Sequence, residues 1–132
     1  MAKRGEENDP GPLPTEAELE ILQILWTSGP LTVREVHEAL EGKQTGYTTV
    51  LKQMQVMTEK GLLTRNERYR SHVYAPKQAR ERTQHQLITN LVQRAFSGSA
   101  KNLVLGALSA RPVSKTELAE IRQLLKQVEE ES

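Results

Sequence analysis

The chain contains no cysteine among its 132 residues. That absence removes disulfides, thiolate nucleophiles, thiolate metal ligands and cysteine-based redox sensing together, and it fits a reducing cytoplasm. Aromatics are scarce as well: one Trp, one Phe and three Tyr leave Leu, Ile, Val and Met to build a core, so helices are expected to dominate and strands to be few. Nowhere does an apolar run approach the roughly 18 residues that a membrane span needs, and the N-terminus is acidic and proline-bearing, unlike a signal peptide. The expectation is a cytoplasmic protein with no membrane partner. Histidine is sparse too: His37, His72 and His85 stand apart, none with a second histidine at ligand spacing, so neither a metal nor a cofactor is expected. Glu41 follows His37 by four residues, and a solvated helix edge accounts for that pair. A small hydrolase using Glu35, His37 and Glu38, or Thr48 and Thr49 as nucleophiles, lacks a Ser-His-acid set, a metal set and a glycine-rich phosphate loop, so no enzyme is expected.

What is present is distributed unevenly. Residues 1–20 carry two Lys or Arg against six acids, residues 34–82 carry ten against six, and residues 83–112 add Arg94, Lys101 and Arg111 with no acid. Positive charge in the middle of a chain with a near-neutral total permits a phosphate-facing module there. At this length one compact domain, or one small domain with an appendage, is expected. Residues 1–14 hold Gly5, Pro10, Gly11, Pro12 and Pro14 among charges, the composition of a tail. Thr15-x-x-Glu18 is a capping box in front of Leu19, Ile21, Leu22, Ile24, Leu25 and Trp26, which predicts a first helix over about 16–27, stopped by Ser28-Gly29-Pro30. Trp26 closes that apolar stripe and is expected in the core rather than stacked on a base.

A second box, Thr32-x-x-Glu35, opens a helix with Val33, Val36, His37 and Leu40 on one side, ending near Glu41-Gly42. A third helix is expected after Thr45-Gly46, closing at Lys60-Gly61, where glycine supplies the left-handed cap. Its core stripe is Val50, Met54 and Met57, which leaves Thr48, Thr49, Lys52, Gln55 and Val56 on its other sides. Short hydroxyl, amide and ammonium groups can hydrogen-bond base edges and phosphates, although a solvated amphipathic helix is the plainer reading of this segment alone. The hairpin that follows shifts the balance. Leu62 to Arg65 and His72 to Ala75 read as strands, joined by Asn66 to Ser71 and stopped by Pro76. Arg65, Arg68 and Arg70 on so small a ribbon suit phosphate contacts, and edge-strand protection is the alternative use for them. Helix, turn, second helix and basic hairpin describe a winged helix-turn-helix over 15–76, with a recognition helix at about 47–60 for the major groove and a wing at about 62–75 for the phosphate backbone.

Residues 77–132 read as three further helices. Their stripes are Leu87, Ile88, Leu91, Val92, Ala95 and Phe96; then Leu103, Val104, Leu105 and Leu108; then Leu118, Ile121, Leu124, Leu125 and Val128 after a third box, Ser114-x-x-Glu117. Three short helices have little interior of their own. Their apolar faces are most simply covered by the same helices of a second copy in a two-fold dimer, with packing on the rest of the chain as the alternative.

In order and spacing, Glu18-Leu19-Glu20-Ile21-Leu22, Leu25-Trp26, Gly29 to Val36, Gly46 to Leu51, Lys60-Gly61-Leu62-Leu63, Val73 to Pro76 and Phe96 to Leu105 resemble the penicillinase-repressor family, the BlaI/MecI/CopY type. The match covers most of the chain. The resemblance implies a homodimeric transcriptional repressor whose N-terminal winged helix binds a palindromic operator in double-stranded DNA. It puts Thr48, Thr49, Leu51, Lys52 and Val56 on the DNA side of the recognition helix; some relatives carry arginine where Leu51 and Val56 stand, and here those two offer apolar contacts to thymine methyls. It places the start of a dimerisation segment near Phe96 to Leu105, within a set we take as Leu87, Leu91, Phe96, Leu103, Val104, Leu118, Ile121 and Leu125. A further partner, an unidentified sensor or protease, is implied by the antibiotic-responsive members, which are cleaved at an Asn-Phe bond just after the Leu-Val-Leu run. Gly106-Ala107 occupies that place here, and the cysteine motif of the copper-responsive members is missing, so neither release route carries over. A winged helix also serves as a protein-interaction module without DNA, and the modest net charge keeps that alternative in play.

Overall fold

A computed structural model describes residues 12–40, 45–67 and 70–132. Two compact units divide the chain, one ending at Ile88 and the other running from Thr89 to Ser132. The first contains α1 (Glu16–Ser28), α2 (Val33–Ala39), α3 (Tyr47–Lys60), β1 (Leu63–Asn66), β2 (Val73–Pro76) and the opening turns of α4 (Arg80–Ala95). The second holds the rest of α4, α5 (Ala100–Ala110) and α6 (Lys115–Glu131). Mostly helical, with one antiparallel hairpin among the described residues, the chain has the expected fold class.

Local chemistry sets the element boundaries. In α1 the Thr15 hydroxyl accepts from Glu18 N at 3.2 Å while the Glu18 carboxylate accepts from Thr15 N at 2.9 Å, and Thr32 with Glu35 repeats the pattern on α2 at the same distances. Each box satisfies two amide donors that a helix start would otherwise leave without a partner. At the third box only the hydroxyl half is formed, Ser114 accepting from Glu117 N at 3.0 Å. Gly61, with φ 86°, ends α3: its N–H reaches Thr58 O and the Leu62 N–H reaches Met57 O at 2.9 Å, a left-handed cap that needs glycine. This cap explains why both strands lie one residue later than the sequence pattern predicts. Leu62 belongs to the helix cap through its N–H and to the hairpin only through its carbonyl, which accepts from Lys77 N. The ladder therefore pairs Leu63 with Pro76 and Asn66 with Val73. α2 stops at Ala39, short of the expected Glu41-Gly42, and those two residues lie outside the described ones.

The core of the first unit comprises Ile21, Leu22, Leu25, Val33, Val36, Val50, Met54, Met57, Leu62, Leu63 and Tyr74, all buried. Spacings of three and four along α1 and α3 put these residues on single faces, and the hairpin closes the remaining side through Leu63 and Tyr74. Leu31 exchanges two backbone bonds with Tyr74, at 3.0 and 2.8 Å, so the segment between α1 and α2 joins the hairpin as a third edge. Sequence pattern gave no sign of it, because a single bridge has no periodicity. Trp26 is half-buried against the core as expected, and its indole N–H donates to Gln78 O at 3.1 Å, tying α1 to the start of α4. On α4 the buried residues are Thr83 and Gln86, with Gln78 Nε2 donating to Gln86 Oε1 at 3.4 Å.

In the second unit, α5 and α6 bury no residue fully. The Phe96 ring packs over Gly106 of α5, 3.7 Å from where a Cβ would sit, an ordinary contact distance. Leu103, Leu108, Leu118 and Ile121 are half-buried, whereas Leu105, Leu124, Leu125 and Val128 are 55–59% exposed. Among the described residues no helix is long and apolar enough to cross a membrane.

Candidate nucleic-acid interface

The outer face of α3 follows from its inner one. With Val50, Met54 and Met57 buried, a rotation of about 100° per residue brings Thr48, Lys52, Gln55 and Glu59 to the opposite side, and all four are exposed. Thr49, also exposed, and half-buried Val56 flank this face on one edge; Leu51 flanks it on the other, resting partly on the core. Glu59 adds an acid one turn beyond Gln55, which confines any favourable approach of a polyanion to the first two turns of α3.

The start of α3 differs from those of its neighbours. Thr15, Thr32, Ser99 and Ser114 cap α1, α2, α5 and α6 through their hydroxyls, but Gly46 precedes α3 and supplies no side-chain cap. First-turn N–H groups are therefore left at the positive end of a 14-residue helix. The approach to this end is braced by His37, whose Nε2 lies 3.0 Å from Thr45 O and whose ring meets Tyr47 edge-on at 6.0 Å. Since a carbonyl only accepts, Nε2 must carry the proton. His37 thus links α2 to the start of α3, a role that the solvated-edge reading missed.

At the other end, Lys60 and Glu18 tie α3 to α1. Lys60 Nζ donates to both Glu18 oxygens at 2.9 and 2.8 Å, while the same carboxylate caps α1. Burial pushes the Glu18 pKa up, but the bonds from Lys60 and Thr15 outweigh it and hold the carboxyl below its ordinary value.

A cleft of about 510 Å³ opens beside α3, lined by Thr32, Val33, Arg34, Tyr47, Leu51, Arg70, Ser71, His72 and Tyr74. It brings Arg70, expected on the wing, together with Arg34 from α2, which the sequence reading passed over. The available signal was the position of Arg34, two residues past the Thr32 cap on a helix whose inward residues are Val33 and Val36. Arg65 is on β1, paired across the ladder with Tyr74, and its guanidinium donates to Glu67 through Nε at 2.9 Å and through Nη2. That pair, with Tyr74, raises the Arg65 pKa further above its ordinary value. Arg68 lies outside the described residues.

The expected dimerisation residues fall on α4, α5, α6 and the turn after α4. Leu91 and Val104 are exposed, Leu125 more so, and Leu87, Phe96, Leu103, Leu118 and Ile121 are half-buried. Gly106-Ala107 lies inside α5. Among the described residues no cluster of His, Asp and Glu has the makings of a metal site, and the Glu35 carboxylate is engaged in the α2 cap.

A family model described as penicillinase repressor matches residues 14–127. The transcriptional regulator BlaI of Mycobacterium tuberculosis, from strain CDC 1551 and from strain H37Rv, is 29% identical over 116 residues, covering 86% of this chain and 83% of the relative. Both findings span the winged-helix unit and the helices after it, and the chain belongs to the penicillinase repressor family of transcriptional regulators.

Proposed function

We propose that the chain represses transcription as a homodimer that seats α3 in the major groove of a palindromic operator. The observation that carries this reading is the composition of the exposed α3 face. Thr48, Thr49, Lys52 and Gln55 stand clear of the core over two turns, at the end of the helix that lacks a side-chain cap and beside a cleft holding Arg34 and Arg70. Thr48, Thr49 and Gln55 offer hydrogen bonds to base edges, Leu51 and Val56 offer apolar surface to thymine methyls, and Lys52 reaches a phosphate. Arg34, Arg65 and Arg70 flank the groove at the backbone, where guanidinium forks match phosphate oxygens. Residues 15–76 serve as the reading domain and residues 77–132 as the dimerisation domain. Exposed Leu91, Val104 and Leu125, with the half-buried residues around them, cover the same surfaces of a second copy, and two-fold symmetry spaces the recognition helices about 34 to 36 Å apart or at a multiple of that distance.

Titration of a labelled duplex with the purified protein at several salt concentrations tests the DNA reading. Affinity is expected to fall steeply with salt, and Lys52→Ala, Arg34→Ala and Arg70→Ala are each expected to flatten the log–log slope by about one. Binding indifferent to salt, or no binding, would favour a protein-interaction role for this winged helix.

A further inference from the structure

The wing segment 62–76 contains one acid, Glu67, among Arg65, Arg68 and Arg70. One carboxylate oxygen, Oε2, accepts from both Nε and Nη2 of Arg65, and the Glu67 side chain is 56% exposed against 35% for Arg65. A carboxylate on the Nε–Nη2 edge of a guanidinium has the charge and the oxygen acceptors of a phosphodiester. Arg65 therefore already holds an anion of the kind it is proposed to meet on DNA. We infer that Glu67 is an internal competitor for the phosphate contact of Arg65 and sets the baseline affinity of the protein for any duplex.

This inference rests on the DNA-binding reading above. For Arg65 to present its Nε–Nη2 edge to a phosphate it must give up Glu67, which then stands as an unpaired acid beside a polyanion, so binding through that edge forfeits the pair and gains a like-charge repulsion. Both effects act at the backbone and are blind to sequence. The cost falls equally on operator and non-operator DNA, and base contacts from α3 decide which sequences remain occupied once non-specific affinity has been lowered. An ion pair that serves only to keep the hairpin charged and apart from other strands makes a different prediction: removing the acid would alter wing behaviour without depending on whether Arg65 is there to be released.

The test is a double-mutant cycle read by fluorescence anisotropy on a duplex of arbitrary sequence, across a range of salt, with the full chain. Glu67→Gln is close to isosteric and removes the charge. It is expected to tighten binding about two- to fivefold at low salt, the range of an exposed ion pair. Arg65→Ala is expected to weaken binding and flatten the slope by about one, and in that background Glu67→Gln is expected to lose most of its gain. An equal gain with and without Arg65, or no gain at all, overturns the inference. If wild-type binding is salt-sensitive and Arg65→Ala leaves both affinity and slope unchanged, the inference fails while the DNA reading stands; absence of salt-sensitive binding in every variant removes both.

Discussion

The unit ending at Ile88 and the unit beginning at Thr89 treat apolar residues in opposite ways. In the first, Ile21, Leu25, Val36, Val50, Met54, Met57 and Tyr74 are all at or below 2% exposure, and of its large apolar side chains only Tyr47 and Ile88, among the described residues, are exposed. In the second, helices of comparable length expose Leu105, Leu124, Leu125 and Val128 by more than half. Folding alone gives the first unit its core. The second has amphipathic helices whose apolar faces are uncovered in a single copy, and for a stripe of leucines in water that is a standing reason to associate. A unit that closes on itself can present a fixed polar face to a ligand, and a unit that does not close is suited to holding two such faces together.

Four perturbations sharpen or break this contrast. The largest effect is expected inside the closed unit: Met54→Ala or Tyr74→Ala should lower its stability by about 2–5 kcal/mol through cavity formation, measured by denaturant unfolding, whereas Leu125→Ala in a dilute, monomeric sample should change stability by less than ~0.5 kcal/mol. Comparable losses at both places would erase the contrast. Next, Ile121→Asp or Leu125→Asp should yield monomers by sedimentation velocity with the first unit still folded by circular dichroism, because a buried carboxylate in an apolar interface is unpaired; dimers persisting in both would move the interface elsewhere.

A third, smaller effect concerns the brace between α1 and α3. Because the folded pKa of Glu18 is below its ordinary value, the Lys60 pair and the α1 cap contribute stability that is fully present above the unfolded carboxyl pKa of ~4.3 and is lost as pH falls through the lower folded value. Glu18→Gln should therefore cost about 1–3 kcal/mol at neutral pH and should shrink the stability lost between neutral and strongly acidic pH. An acid-unfolding profile as steep as that of the wild type would assign the acid sensitivity to other carboxylates. The smallest effect is expected on the exposed face of α3, where Thr48→Ala or Thr49→Ala should leave stability within ~0.5 kcal/mol while relaxing sequence preference by ~1–3 kcal/mol per lost base contact, seen by comparing operator and scrambled duplexes. Unchanged preference in both variants would take these threonines off the reading surface.

Legibility in the sequence divides along a physical line. Helix starts at Thr15 and Thr32, the glycine stop at Gly61 and the buried stripe of α3 were all readable, because capping and amphipathicity are decided within a few residues of chain. The one-residue shift of the hairpin came from a helix cap claiming the Leu62 amide, a competition between two local signals. What could not be read locally depends on residues far apart: Leu31 bridging Tyr74, Lys60 reaching Glu18 and Arg34 meeting Arg70 in one cleft. Such pairs leave no period in the sequence, and in a chain met without relatives only the fold reveals them. His37 shows the same lesson on a smaller scale, since its partner Thr45 stands eight residues on, at a separation no spacing rule supplies.

The measurement that bears most directly on the account is selection of bound sequences from a random duplex pool with the purified full-length protein at two salt concentrations. A dimeric repressor reading DNA with α3 is expected to enrich a palindrome with half-sites about one helical turn, or a multiple of it, apart, bound less tightly at the higher salt. Enrichment of a single half-site without symmetry would contradict the dimer, and no enrichment with no salt-sensitive binding would contradict the reading of α3 as a recognition helix.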